Sequence, residues 1–213
     1  KTFAIGWVAQ IWAVNMGALL VFAGGLHWYF YTRKAQAKEL KFSHRDMMRE
    51  NRTFKFGDQV KDNMFWSLTS GIAQITVFQA VSLWLMANGY VPTITFTSNP
   101  ILFIAIILAL PVWSAFHFYW IHRFLHVPFM YTRVHSLHHR NINIGPWSGF
   151  SMHPVEHFFY LTSLCIHWII PSSPVHIAFH VMYLAPGAAM SHTGYESLLI
   201  KDKRKLELGT FYH

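Results

Sequence analysis

The sequence has little charge of either sign. Only 12% of its 213 residues are Asp, Glu, Lys or Arg, whereas a soluble domain carries about 25%. Three long runs contain no charged residue at all, namely residues 2–32, 63–122 and 157–195. Each run is longer than the roughly 20 apolar residues that cross a bilayer. This pattern excludes an ordinary soluble globule and predicts an integral membrane protein.

Cysteine is almost absent. The one cysteine, Cys165, lies in an apolar run and has no partner for an internal disulfide. The sequence therefore excludes a disulfide-stapled secreted scaffold and a thiolate metal site.

Basic residues outnumber acidic ones, 17 to nine, which gives a net charge of +8. Nine of the 17 lie within residues 33–61, between two apolar runs. This distribution indicates a cytoplasmic loop and argues against nucleic acid as a partner. Six of these residues recur every three or four positions, which predicts a surface helix on the anionic leaflet, with a solvated charged face as the alternative: Lys34, Lys38, Lys41, Arg45, Arg49 and Arg52.

The apolar runs predict an all-α integral membrane protein with four or five hydrophobic helices in a single domain, residues 1–213. The second hairpin is interrupted by Pro171-Ser172-Ser173-Pro174 and is expected to cross the membrane only partly. Counting crossings from the basic loop puts the histidine-rich segment on the cytoplasmic face. The expected order is a first span (3–31), a basic cytoplasmic segment (33–62), a helical hairpin (64–121), histidine boxes (122–157), a second hairpin (158–195) and a cytoplasmic tail (196–213).

Histidine is abundant, with 15 residues, seven of them between positions 122 and 157. Polar residues at a membrane are energetically costly and usually functional. His122 and His126 are four residues apart, so a helix presents both on one face. His135, His138 and His139 repeat this spacing, and the adjacent pair points in different directions, which suits two metals. Neutral imidazole suits iron, zinc or copper and argues against calcium or magnesium.

These motifs resemble the fatty acid hydroxylase and sterol desaturase superfamily of membrane di-metal oxidoreductases. His122-x-x-x-His126 and His135-x-x-His138-His139 look like its first two histidine boxes. His153-Pro154-Val155-Glu156 and Ser191-His192-Thr193-Gly194-Tyr195-Glu196 look like its later elements, in a form closer to the sterol desaturase branch. Phe211-Tyr212-His213 looks like the start of a last box, so two further histidines are expected just after it.

The resemblance implies a centre of two iron ions, which zinc can replace in preparations. It implies seven ligands, namely His122, His126, His135, His138, His139, His192 and His213. Four more residues are candidates to orient these ligands, namely His153, Glu156, His157 and Glu196. For His153 and His157 two other roles stay open, as further ligands or as residues that cap or pack the next hairpin.

The same resemblance implies an enzyme, an iron- and dioxygen-dependent hydroxylase or desaturase of a sterol-like or fatty acyl lipid. Neither a fused haem domain nor a Rossmann glycine motif is present, so the electron donor is expected to be a separate protein of the haem, ferredoxin or reductase type. Two alternatives stay open, a catalytically silent homologue acting as a membrane subunit and a histidine-rich metal transporter. A transporter would place its ligands near the middle of the membrane, whereas these boxes lie at a basic boundary.

Several histidines lie outside these motifs on the apolar segments, and we expect them to be structural. They are His117, His167, His176 and His180. His176 and His180 share a helical face, so an alternative role for them is to line a polar approach to the site.

Overall fold

Three long helices dominate the computed structural model, which describes residues 2–37, 40–195, 197–200 and 204–207. We name them α1 (Ile5–Thr32), α2 (Gln59–Ala87) and α3 (Pro100–Leu125). Each is long and apolar enough to cross a membrane. The predicted helical membrane protein is therefore confirmed, and the three helices cover the predicted first span and first hairpin.

Shorter elements follow α3. Helix α4 consists of three consecutive helical pieces, Pro128–Met130, Tyr131–His135 and Ser136–His139. Helix α5 (Pro154–Leu161) continues as a 3-10 helix (Thr162–Trp168), and α6 covers Pro174–Ser191. Strands β1 (Ser197–Ile200) and β2 (Arg204–Glu207) pair antiparallel, with Ser197 opposite Glu207. This small β-hairpin was not predicted from the sequence.

The helix starts follow from capping residues. The Asn99 side chain accepts a hydrogen bond from the Leu102 N–H at 3.0 Å, and Pro100 occupies the first turn of α3. Ser173 caps α6 in the same way, with Pro174 next to it. A polar N-cap satisfies a backbone N–H that has no partner within the helix, and proline at the first position loses no hydrogen bond. The prolines that interrupt the second hairpin therefore end one helical segment and begin the next.

A buried apolar cluster joins the helices to the loop that follows the histidine boxes. Trp147 and Phe150 of that loop pack among apolar side chains of α1, α2, α5 and α6. The Phe150 ring lies so close to Gly71 that a Cβ there would come within 2.5 Å of it. Close approach of this kind stabilises helix packing in lipid, where van der Waals contact replaces the hydrophobic effect. The loop is thus anchored inside one end of the bundle.

The two ends of the bundle differ in chemistry. At one end, the connection between α2 and α3 pairs with the turn before α6, where Ile94 N donates to Ser172 O at 3.0 Å. At the other end lie the end of α3, helix α4, the end of α6 and the basic segment. The described histidines of the boxes therefore meet at one end. The side of the membrane that this end faces stays a prediction.

The basic segment contains no α-helix in its described parts, residues 33–37 and 40–58. Its chain runs through turns instead, with positive φ angles at Lys34 and Glu50. The predicted surface helix is wrong because the segment bonds to distant loops. Phe42 N donates to Gly194 O at 3.1 Å, and Asn143 Nδ2 donates to Asp46 O at 3.1 Å. The spacing of lysines and arginines does not reveal such long-range partners.

Candidate metal centre

Four histidine rings converge where α3 ends and α4 runs beside it. His122 and His126 come from the end of α3, and His135 and His139 come from α4. Nε2 of His122 lies 3.3 Å from Nε2 of His126, and Nε2 of His135 lies 2.9 Å from Nε2 of His139. The ligating atoms of all four residues lie within 4.8 Å of one another. We call this group the four-histidine cluster.

The cluster has distances that suit one metal ion. Imidazole nitrogens bind zinc at about 2.0–2.1 Å, so two neighbouring donors on one ion lie roughly 2.8–3.4 Å apart in octahedral or tetrahedral geometry. The observed Nε2 separations of 2.9 and 3.3 Å agree with this range. A donor set made only of imidazole suits iron, copper or zinc. The residues present therefore fit a transition metal.

Glu156 orients one ring of the cluster. Its Oε1 lies 2.8 Å from Nδ1 of His135, and the two side chains are only 3% and 1% exposed. When the His135 Nδ1–H donates to this carboxylate, the lone pair of the imidazole is on Nε2, the atom that faces His139. Metal-binding histidines commonly have a carboxylate partner of this kind. Helix α5 thus supplies the group that fixes the ligating atom of His135.

Burial sets the protonation of these groups. It lowers the pKa of His135 to about 4, with repulsion from His126 adding to the effect. It also lowers the pKa of His138 to about 4, although the nearby Glu156 opposes that change. The imidazoles are therefore neutral, which is the form that binds metal. Burial raises the pKa of Glu156 to about 7, and a cation in the cluster would stabilise its carboxylate.

His138 and His192 form a second pair beside the cluster, with ring centroids 5.6 Å apart. Nδ1 of His138 lies 3.1 Å from Ser151 O, and Nδ1 of His192 lies 3.0 Å from Ala188 O. A carbonyl can only accept, so each Nδ1 carries the proton and each lone pair is on Nε2. The ring planes of His138 and His139 are 89° apart. The two adjacent rings are therefore perpendicular to each other.

Two buried oxygen atoms near these rings have no hydrogen-bond partner among the described residues. They are Oε2 of Glu156 and Oγ of Ser151. Buried polar atoms in proteins are nearly always satisfied, by protein, water or an ion. Their position next to His135 and His138 fits a site that holds a ligand or ordered water.

A buried polar network, which sequence reasoning missed, holds the chain just after His139. Arg140 forms an ion pair with Asp62 of α2, which is fully buried. Gln59 Nε2 and Asn63 Nδ2 both donate to Oδ1 of Asn141, at 3.1 and 2.9 Å. The signal available in the sequence was the polar start of an otherwise apolar helix. The partners are about 80 residues apart, so spacing within one motif could not pair them.

His153 and His157 do not belong to the four-histidine cluster, and each bonds to neighbouring parts of the chain instead. Nδ1 of His153 accepts a hydrogen bond from Val155 N at 3.2 Å and caps α5. His157 is buried, with Nδ1 3.2 Å from Ser70 Oγ and Nε2 3.1 Å from Phe150 O. Both ring nitrogens of His157 therefore have protein partners. Two further predicted site residues, Glu196 and His213, lie outside the described residues.

Three of the four histidines of the apolar segments form a separate buried network, namely His167, His176 and His180. His167 Nε2 lies 3.1 Å from His180 Nδ1, and His176 Nε2 lies 2.9 Å from Phe103 O. The other nitrogens of His167 and His180 bond to buried serines, namely Ser172, Ser114 and Ser163. These rings tie the second hairpin to α3, and none belongs to the four-histidine cluster. Their geometry suits the structural role expected from the sequence.

The half of the chain that carries this site matches a known protein family. A sequence model described as fatty acid hydroxylase matches residues 104–213. The matched range contains the four-histidine cluster, His138, His192 and Glu156. The chain belongs to the fatty acid hydroxylase family. This membership confirms the resemblance of the histidine boxes, whereas α1, the basic segment and α2 precede the matched range.

Several proteins with sequences similar to this chain are sterol desaturases. A Delta(7)-sterol 5(6)-desaturase of Aspergillus fumigatus is 42% identical over 65 residues, which are 30% of this chain and 17% of that protein. One from Schizosaccharomyces pombe is 33% identical over 91 residues, which are 43% of this chain and 28% of that protein. Protein CER1-like 2 of Arabidopsis thaliana is 28% identical over 152 residues, 68% of this chain and 24% of that protein. The chain therefore aligns with less than a third of each of these relatives. No solved structure matches it.

Proposed function

We propose that this chain forms the metal site of a membrane oxidoreductase that hydroxylates or desaturates a lipid with dioxygen and external electrons. The observation that carries the proposal is the convergence of four imidazole nitrogens, with a second histidine pair beside them, at the end of a membrane bundle. Breaking an unactivated C–H bond is beyond ordinary side chains and needs a redox cofactor. Two irons held by these imidazoles would supply that oxidising chemistry.

The ligand assignment follows from the two groups of rings. His122, His126, His135 and His139 hold one metal, and His138 and His192 contribute to the other. His213 stays a proposed further ligand on the strength of its sequence motif. The protein orients three of these imidazoles for metal binding. Glu156 and the carbonyls of Ser151 and Ala188 each bond to the Nδ1 atom of one ring, which leaves the lone pair of that ring on Nε2. Removing such partners typically costs 10–100-fold in metal affinity or activity.

A lipid substrate fits the surface that leads to the site. The last turns of α3 expose large apolar side chains, with Phe116, Tyr119 and Trp120 each more than half exposed. On the same helix, Phe118 stacks on His122 with ring centroids 5.0 Å apart. A sterol-like or fatty acyl chain in the bilayer can therefore approach the metal ligands along α3 without crossing water. The sterol desaturases among the relatives support the sterol-like choice.

We further propose that the histidine end faces the cytoplasm and receives electrons from a separate protein. The basic segment lies at this end, and Arg45, Arg49 and Arg52 are exposed there. Exposed positive charge favours the cytoplasmic side of a membrane. It also attracts an acidic partner over a distance of roughly 10 Å at moderate ionic strength.

The test is lipid analysis in a host that lacks related oxidases and that also expresses an electron donor. The wild-type full-length protein is expected to yield an oxidised lipid, either hydroxylated with 18O from 18O2 or carrying a new double bond, only when oxygen is supplied. His135→Ala should abolish the product because it removes a ligand. His44→Ala is the matched control, since His44 is an exposed histidine of the basic segment. Equal product from His135→Ala and wild type would overturn the proposal.

A further inference from the structure

The chain makes a tight turn directly after His192. Thr193 is buried, and its Oγ1 donates to Tyr195 O at 2.9 Å. Gly194 has a φ of +80°, a backbone conformation that residues with a side chain rarely adopt. Tyr195 then packs under Phe30 of α1, with ring centroids 4.4 Å apart and near-parallel rings. The residues that follow His192 are therefore fixed against the end of the first helix.

One hydroxyl of α1 reaches this turn. The Tyr31 hydroxyl lies 2.7 Å from Thr193 O and 3.1 Å from Ile144 O. A Cβ at Gly194 would lie only 2.5 Å from the same oxygen atom. The absence of a side chain at Gly194 is thus what lets the hydroxyl approach the backbone. The positive φ and the close approach both explain why glycine stands two residues after His192.

The two carbonyls lie in the two chain segments that hold the second histidine pair, His138 and His192. Thr193 is the residue after His192. Ile144 lies in the loop that continues to Ser151, whose carbonyl orients His138. The Tyr31 hydroxyl therefore joins the segment that carries His192 to the segment that orients His138. It does so from a helix that precedes the part of the chain matched by the family model.

The Tyr31 ring is held independently of its hydroxyl. His27 stacks on it with centroids 5.3 Å apart, and Lys41 Nζ lies 5.0 Å from its centre. Removal of the hydroxyl alone therefore leaves the ring packed. The hydroxyl can be tested without emptying the space that the ring fills.

We propose that Tyr31 is a positioning residue that sets His192 relative to His138, so that the first helix completes the second metal position. This inference rests on the proposed two-metal centre. It assigns a role in metal binding to a helix that carries no ligand of its own. The geometry requires that loss of the hydroxyl weakens one metal position and leaves the four-histidine cluster unchanged.

The experiment compares variants of the full-length protein in lipid nanodiscs. Metal-free protein is equilibrated with 57Fe(II) under anaerobic conditions at a free iron concentration that just saturates the wild type. Iron per chain is measured by mass spectrometry, and the sites are distinguished by Mössbauer spectroscopy. We expect two irons in the wild type and roughly 1.1–1.5 in Tyr31→Phe, because the affinity of one position falls roughly 10–100-fold. The remaining signal should match that of His192→Ala and differ from that of His126→Ala.

Two further variants complete the test. Tyr29→Phe removes a hydroxyl two residues earlier that has no hydrogen bond to the described residues, and it should keep two irons. Gly194→Ala should repeat the loss seen in Tyr31→Phe, because its methyl group displaces the hydroxyl. The metal-free form of Tyr31→Phe should unfold at a somewhat lower temperature than that of Tyr29→Phe, because the carbonyls of Thr193 and Ile144 lose their donor. The decisive result is therefore the selective loss of one iron, which a general loss of stability would not produce.

Three results would overturn the inference. The first is wild-type iron affinity in Tyr31→Phe. The second is loss of iron from both positions in proportion to a lowered unfolding temperature, which would show a merely structural role. The third is a wild type that binds no iron, which would overturn the proposed function as well and is therefore distinguishable from the other two.

Discussion

Glu156→Gln tests how the protein orients His135, a proposed metal ligand, through the ring nitrogen that does not face the metal. Glu156 Oε1 accepts the His135 Nδ1–H at 2.8 Å, in a place where both side chains are almost fully buried. Glutamine keeps the shape of the side chain but replaces a carboxylate by a neutral amide. Charge-assisted hydrogen bonds are about twice as strong as neutral ones. The amide NH2 can also donate to Nδ1, which would move the imidazole proton to Nε2, the ligating atom.

The expected loss can be worked from this one contact. Removing such a partner behind a metal-binding histidine typically costs 10–100-fold in affinity. That range corresponds to about 1.4–2.7 kcal/mol, since each tenfold change is about 1.4 kcal/mol. A hydrogen bond to a charged group contributes roughly 1.5–3 kcal/mol. The two figures agree, so Glu156→Gln should weaken one metal position by this amount and leave the other nearly unchanged.

The assay is a competition titration of the metal-free full-length protein with iron and a chelator of known affinity. Glu50→Gln is the matched control, because it makes the same chemical change at an exposed residue of the basic segment. The control should bind like the wild type. If Glu156→Gln also bound both irons within twofold of wild-type affinity, the role given to the carboxylate would be refuted.

The remaining predictions address ligation, packing and topology. His138→Ala should lose one of two metals and all oxygen-dependent lipid oxidation while circular dichroism still shows the helices; two bound irons with full turnover would contradict the ligand assignment. His167→Ala should keep metal and turnover but lower the unfolding temperature, since it leaves His180 Nδ1 and Ser172 Oγ without this partner. Each buried group that loses its partner should lower the free energy of unfolding by about 1–3 kcal/mol. An unchanged unfolding temperature would count against the buried histidine network. A cysteine placed at the exposed Ile142, in a Cys165→Ser background, should react with an impermeant label from the cytoplasmic side, and labelling from the outer side would contradict the proposed topology.

The long helices were predictable because lipid imposes a simple rule. A segment can cross a bilayer only where neither its side chains nor its backbone needs water, so the charge-free runs predicted α1, α2 and α3. The histidine boxes were equally accessible to sequence reasoning. The i, i+4 spacing of His122 and His126 predicted two rings on one helix face, and the structure brings their Nε2 atoms within 3.3 Å.

The parts that escaped prediction depend on contacts between distant residues. The basic residues were spaced like a helix, but their segment lacks the apolar stripe that would hold a helix in place, and its backbone bonds to loops instead. Glu156 was expected to orient a ligand, yet the sequence could not show which one, since 21 residues separate it from His135. Tyr31 gave no signal at all, because its partner Thr193 lies 162 residues away.

The most direct test of the central claim is the redox-active iron content of the full-length wild-type protein. The protein is purified in lipid from iron-supplemented cells, and iron per chain is measured together with its oxidation by dioxygen. Zinc must be measured in the same samples, because it occupies imidazole sites and has no redox chemistry. We predict two irons per chain that oxidise when oxygen is admitted. Wild-type protein that takes up no redox-active metal under these conditions would contradict the account.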